Sequence, residues 1–217
     1  RTYVEGYLTS QDQQLLQNIF QQVENKTLSP KQLSGNFTLV FEDKDQLKVC
    51  TDRIGSQRLF YFKHDEYFCF ASNFFELLYY LKDKGYTFTK DRTAVAEIFC
   101  FLYAFNDRTI VKEIKEMKPA SFYTINKRGV DCDRYWNWRE KQSSTSYAQA
   151  LQYAQSSLEK VYQEMCSLIS VVGGPAYISL SGGGDSRFVL SMLENELPHK
   201  DINAIILGQL SSHDVRI

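Results

Sequence analysis

The sequence predicts an α+β layered sandwich over residues 1–140, followed over residues 141–217 by the opening strand, helix and strand of a parallel α/β unit. Three observations predict this. Between residues 36 and 135, three pairs of short β-rich runs each flank a four-residue polar turn, the mark of antiparallel hairpins. Between residues 151 and 168, apolar residues step by three and four, as one face of a helix does. After Pro175, an apolar run, a glycine-rich turn, a helical stretch and a second apolar run follow in order, a connection long enough for parallel strands.

Ser10–Glu24 reads as a helix: Ser10 and Gln13 form a capping box, and Leu15, Leu16, Ile19, Phe20 and Val23 share a face. Lys26–Leu33 is a polar connection. Asn36–Phe41 and Gln46–Thr51 flank the turn at 42–45, and Arg58–Phe62 and Tyr67–Ala71 flank the turn at 63–66. Phe74–Leu81 and Thr93–Tyr103 are short apolar helices, and Ser121–Ile125 with Val130–Tyr135 forms the third hairpin around 126–129. Lys141–Ser146, polar and serine-rich, is the expected linker. Leu151, Ala154, Leu158, Val161, Met165 and Leu168 then form one stripe, expected to dock on a sheet and stopped by Gly173-Gly174-Pro175. The closing elements are a strand near 176–180, a helix to about Leu197 and a strand at Ala204–Leu207.

Composition narrows the function classes. The chain has 217 residues, 43% of them hydrophobic, and a formal net charge of −1, with no basic stripe of the kind that binds nucleic acid. No run of about 18 apolar residues suggests a membrane span, and no signal peptide is visible. Cys50, Cys69, Cys100, Cys132 and Cys166 are widely spaced without a CxxC pair, the pattern of reduced, mostly buried thiols in a cytoplasmic protein. The aromatic residues dense in Leu59–Tyr80 are expected to fill a sheet core. A chain opening on Arg1 suggests a fragment, a processed form or a disordered start.

Ser181-Gly182-Gly183-Gly184-Asp185-Ser186 joins the buried run ending at Leu180 to the helical stretch beginning at Arg187. Glycines let a backbone approach an oxyanion and turn several N–H groups toward it, and the helix behind adds its positive end. Ser181 and Ser186 add hydroxyl donors. Asp185 would repel phosphate unless it held Mg²⁺ bridging to phosphate oxygens, so the turn reads as a site for metal-bound polyphosphate. It lacks the lysine of a Walker loop, and Arg187 stands where a dinucleotide fingerprint has its third glycine.

The stretch resembles the SGGxDS loop of N-type ATP pyrophosphatases. Five specified positions at about 6% each occur by chance in about 2 × 10⁻⁴ of chains this long. Gly35-Asn36-Phe37, Asp52-Arg53-Ile54-Gly55, Leu59-Phe60-Tyr61, Phe70-Ala71-Ser72, Met117-Lys118-Pro119-Ala120 and Tyr135-Trp136 resemble, in order, landmarks of glutamine-dependent asparagine synthetases. The resemblance implies a class II amidotransferase-like αββα sandwich of the N-terminal-nucleophile (Ntn) type at 1–140. It further implies the N-terminal part of an adenine-nucleotide α-hydrolase-like synthetase domain at 141–217. The implied reaction is ATP-dependent: a carboxylate is activated as an acyl-adenylate, pyrophosphate leaves, and an amine displaces AMP. Ser181–Ser186 would then hold the β,γ-phosphates, Asp185 would hold Mg²⁺, and Leu180, Leu207 and Gly208 would neighbour adenine. The implied partner is a small-molecule or peptide carboxylate, with a homodimer left open and neither nucleic acid nor membrane expected.

The sequence also departs from the family. Position 1 is arginine and no cysteine precedes Cys50, so glutamine hydrolysis is not expected of this chain. Asp12 is either a remnant of the glutamine site or a helix cap. Arg187 either contacts phosphate or a substrate carboxylate, or solvates the first helical turn. Asp214 resembles an acidic position opening the next helix, and His213 has no orienting neighbour. Asn73 and Ala120 stand where the family has glutamate and glycine. The rival reading is a non-catalytic peptide- or partner-binding module with a vestigial loop, and a third is a tRNA-directed sulfur- or ammonia-transferring relative.

Overall fold

The structure, a computed structural model, describes residues 2–8, 33–43, 46–65, 67–138, 145–197 and 201–208. The expected helix at Ser10–Glu24 with Asp12, and the segment holding His213 and Asp214, lie outside these residues. The chain divides into two compact units, Arg1–Glu140 and Lys141–Ile217. No helix among the described residues is long and apolar enough to cross a membrane.

Unit 1 stacks two antiparallel sheets. The five-stranded sheet runs in the order β1 (Thr2–Leu8), β2 (Gly35–Asp43), β3 (Gln46–Thr51), β7 (Ser121–Asn126), β8 (Gly129–Arg134). The three-stranded sheet runs β5 (Tyr67–Ala71), β4 (Phe60–His64), β6 (Ile114–Glu116). All three expected hairpins form: Val40 lies opposite Val49, Phe62 opposite Cys69, and Tyr123 opposite Cys132. β1 and β6 were not expected.

Alternation sorts the side chains into three apolar layers. Val40, Val49, Leu59, Met117, Tyr123 and Ile125 fill the space between the sheets. Leu33, Phe37, Leu39, Phe41 and Cys50 are buried on the outer face of the larger sheet. Phe60, Phe62 and Ile114 pack against Leu77, Leu78 and Leu81 of α1 (Phe74–Asp83). Asn73 caps α1, its side chain accepting from Phe75 N at 2.9 Å and Glu76 N at 3.2 Å. The departure from the family at this position therefore serves as a helix start. Asp91 caps α2 (Arg92–Phe101) in the same way, and Leu102 closes it in the left-handed region at φ 67°. The aromatic stretch fills the core through its strands and through Phe74 of α1, while Phe75, Tyr79 and Tyr80 of α1 are exposed.

One corner ties the sheets together. The carboxylate of Asp52, itself buried, accepts N–H bonds from Phe37 (3.3 Å), Ile54 (2.9 Å), Gly55 (2.8 Å) and Ser56 (3.0 Å). The main-chain oxygen of Asp52 accepts from Ala120 N at 2.7 Å. Gly55 turns with φ +68°, and a Cβ there would lie 3.1 Å from Pro119. Thr51 Oγ1 donates to Lys118 O at 2.8 Å, while Tyr135 donates to Thr51 O at 2.7 Å. Ala120 replaces the family's glycine yet holds φ +53°, a conformation that costs an L-residue about 1 kcal/mol.

In unit 2, α3 (Tyr147–Val172) starts at the Ser146–Gln149 capping box and stops at Gly173, where φ is +73°. β9 (Ala176–Ser179) and β10 (Ile202–Ile205) pair in parallel around α4 (Gly184–Glu196). Two expectations are corrected. β10 begins two residues before the expected Ala204, because pairing with Ala176–Ser179 rather than the apolar run Ile205–Leu207 sets its bounds. The α3 stripe does not dock as one face on a sheet: Leu151, Leu158 and Val161 are exposed, and the buried Tyr162 meets Phe188 of α4 edge-on at 5.9 Å.

Replacing Asp52 by Ala strands several buried N–H groups and should cost about 3 kcal/mol or more, read as a lowered urea midpoint with an unchanged slope. Asp52→Asn, which accepts through one oxygen only, should cost less.

Candidate functional site

The six residues singled out in the sequence form one closed turn at the carboxyl ends of the parallel strands. Leu180 N donates to Ile205 O at 2.9 Å, carrying the pairing one residue past β9. The chain then bends, and the two serines close the bend. Ser181 N donates to Ser186 Oγ at 3.1 Å, and the hydroxyl oxygens also lie 3.1 Å apart. Ser186 Oγ donates to Ser181 O at 3.2 Å, and Gly183 N donates to Ser181 Oγ at 3.3 Å. Ser186 is therefore a brace across the turn, with its hydroxyl directed at the backbone. Sequence reasoning assigned it to phosphate because a hydroxyl's partner depends on how the loop closes.

Gly183 is the N-cap of α4, extended at φ −73°, ψ 155°, and no side chain caps the helix. The leading amides of the helix are thus left to an external acceptor. A Cβ on Gly184 would meet nothing within 4 Å, so the space over the first helical residue is open. Asp185 sits in the first turn, exposed and outside any ion pair among the described residues. Arg187 turns back, its Nε donating to Gly183 O at 3.2 Å, which lays the guanidinium beside the turn. Leu207 and Gly208 follow β10 at the same edge, exposed, while Leu180 is half-buried.

These residues fit a Mg²⁺-bound polyphosphate. The helix start has no side-chain cap, and the space over Gly184 is open to a ligand of that size. Among the described residues no three His, Cys, Asp or Glu side chains cluster to hold a metal. The single carboxylate of Asp185 matches Mg²⁺, which takes one or two carboxylates and draws its other ligands from phosphate and water.

The cysteines answer a different question. All five are free thiols, but Cys100 and Cys132 are exposed and Cys69 is half-buried, so only Cys50 and Cys166 match the expectation of buried thiols. Cys100 lies on the solvent side of α2 and Cys132 on the edge strand β8. Cys50 is 1% exposed, and burial, with the Asp52 charge beside it, pushes its thiol up to about 12. Such a thiol is no nucleophile at neutral pH.

Residues 3–136 match the family of the glutamine amidotransferase domain. The chain is 29% identical over 163 residues to asparagine synthetase [glutamine-hydrolyzing] 3 of Bacillus subtilis, a match covering 74% of this chain and 25% of that protein. The chain thus spans about a quarter of that relative's length. Among solved structures it is similar to the glutamine phosphoribosylpyrophosphate amidotransferase of B. subtilis complexed with ADP and GMP. That match has a TM-score of 0.32 and 12% identity over 62% of this chain and 29% of the other. A structure of the allosteric regulatory enzyme of purine biosynthesis matches with a TM-score of 0.32 and 13% identity, covering 62% of this chain and 28% of the other.

Alkylation of the native chain at pH 8 should modify Cys100 and Cys132 and spare Cys50, as read by mass spectrometry. Cys50, Tyr123 and Tyr135 all hold their protons more tightly when folded, chiefly because they are buried. Unfolding releases acids that ionise near pH 9–10, so stability should be complete below about pH 9 and fall as the pH rises toward 12.

Proposed function

We propose, for a chain that belongs to the glutamine amidotransferase domain family through residues 3–136, that it is part of an asparagine-synthetase-like ATP-dependent ligase. In this reading residues 1–140 are the Ntn-type amidotransferase-like domain, and residues 141–217 form the ATP-binding start of the synthetase domain. The reaction activates a carboxylate with ATP, releases AMP and pyrophosphate, and forms an amide. The observation that carries it is the uncapped start of α4, open over Gly184, at the carboxyl edge of two parallel strands. In open α/β sheets that edge is where ligands bind.

Each residue has a task in this reading. The amides of Gly182, Gly183 and Gly184, with the Ser181 hydroxyl, hold the β,γ-phosphates. Ser186 keeps Ser181 and Gly183 in register. Asp185 holds Mg²⁺, which when bound supplies charge neutralisation on the polyphosphate. The helix end stabilises the charge that develops on the leaving pyrophosphate. Leu180, Leu207 and Gly208 line the adenine side. The guanidinium of Arg187, beside the turn, meets a phosphate or the substrate carboxylate. The reading places the protein in the cytoplasm, where its exposed Cys100 and Cys132 stay reduced.

The test is ATP–pyrophosphate exchange by the full natural polypeptide with candidate acids. Asp185→Ala should lower exchange at least about 100-fold with an unchanged melting temperature. Gly184→Val should abolish nucleotide binding while leaving the fold intact, because its side chain enters space that no protein atom occupies. Full exchange by Asp185→Ala would refute the assignment.

A further inference from the structure

A cavity of about 540 Å³ opens on unit 1, and none of its lining residues is among those assigned above. Phe60, Phe74, Phe75, Ile98 and Met117 supply apolar wall. Its size is that of a small-molecule site, and such a lining suits a flat apolar group. The rim is apolar as well: Phe75 and Tyr103 are exposed, and Leu102, in the left-handed region at φ +67°, is 90% exposed. The bordering loop is fixed from behind, since Glu97 of α2 accepts from Phe105 N at 2.9 Å and from both Nε and Nη2 of Arg108.

The charged groups of the lining are Arg58, Arg108 and Glu116. Arg58 gives Nε and Nη2 to Glu116 at 2.8 and 2.7 Å, with its guanidinium 5.1 Å from the centroid of Phe60. Glu97, the partner of Arg108, stands outside the lining. Each guanidinium at the cavity is matched by one carboxylate, Arg58 by Glu116 in the lining and Arg108 by Glu97 behind it. Both arginines are held in place through Nε and Nη2, and Nη1 of each has no hydrogen bond among the described residues. An apolar chamber edged by two guanidinium groups that keep an unused Nη1 complements a carboxylate bearing a ring.

We propose that this cavity binds an aromatic monocarboxylate, its ring against Phe60, Phe74 and Phe75 and its carboxylate on the free N–H groups of Arg58 and Arg108. The site is independent of the ATP loop and stands whether or not that assignment holds.

The test titrates the chain with N-acetyl-L-phenylalanine and, in parallel, with N-acetyl-L-phenylalaninamide, following amide shifts by NMR. The acid should bind saturably and the amide at least about tenfold more weakly. Arg58→Met should weaken the acid about tenfold or more and leave the amide unchanged. Glu116→Gln, which raises the lining charge, should strengthen acid binding severalfold, a direction that damage to the fold cannot mimic. Ala104→Trp, which fills the chamber, should abolish both. The proposal is overturned if the acid fails to saturate by about 10 mM, if acid and amide bind alike, or if Arg58→Met binds the acid normally. It is equally overturned if sedimentation shows self-association that Ala104→Trp abolishes, since a second copy would then be the occupant.

Discussion

A single buried carboxylate decides how the two sheets of unit 1 are joined. The chain leaves the five-stranded sheet at the end of β3, crosses to the three-stranded sheet at β4, and returns from β6 to β7. Both crossings pass the same corner, where Asp52 gathers the amides of Ile54, Gly55 and Ser56 on one side and that of Phe37 on the other. Its main-chain oxygen takes Ala120 N on the returning strand. A buried charge is tolerable only when its lone pairs are filled, and here backbone donors fill them. The inter-sheet core of Val40, Val49, Leu59, Met117, Tyr123 and Ile125 can close because this corner sets the offset between its two walls. The same corner helps hold Cys50 as a neutral thiol, through burial and the adjacent negative charge.

What was legible in the sequence follows from the range of the forces involved. The hairpins at 36–51, 60–71 and 121–134 could be read because strand alternation and turn chemistry are local. β1 could not: Thr2–Leu8 mixes Tyr, Val and Leu with Glu5 and Gly6, and becomes a strand through pairing with β2. β6 is three residues, Ile114–Glu116, whose strand character comes from β4. The α3 stripe was a true helical signal, but periodicity does not say what covers a face. The buried residues of α3 are Tyr162 and Cys166, neither of them among the residues the stripe picked out.

The site divides along the same line. The bend at 181–186 was legible because three glycines before a helix have few other uses, whereas the bracing by Ser186 arises only once the bend closes. Asp52 entered the sequence reading as a family landmark alone. An aspartate followed within four residues by Gly55 and Ser56 is a side-chain-to-backbone turn signal that could have identified its structural role. Arg58, Arg108 and Glu116 come from separate stretches, and only the packing of α1, α2 and the loop at 102–110 assembles them around one cavity. Membership of the amidotransferase domain family rests on unit 1, while the polyphosphate chemistry rests on unit 2, so the two halves of the functional reading can stand or fall separately.

The central claim, that the open start of α4 receives a metal-bound polyphosphate, is most directly tested by amide NMR of the ¹⁵N-labelled chain. On addition of Mg²⁺ with pyrophosphate, the amide resonances of Gly182, Gly183 and Gly184 should shift together and saturate, while AMP leaves them in place. If those three amides keep their positions while signals elsewhere respond, the cradle is empty of function and the account is contradicted.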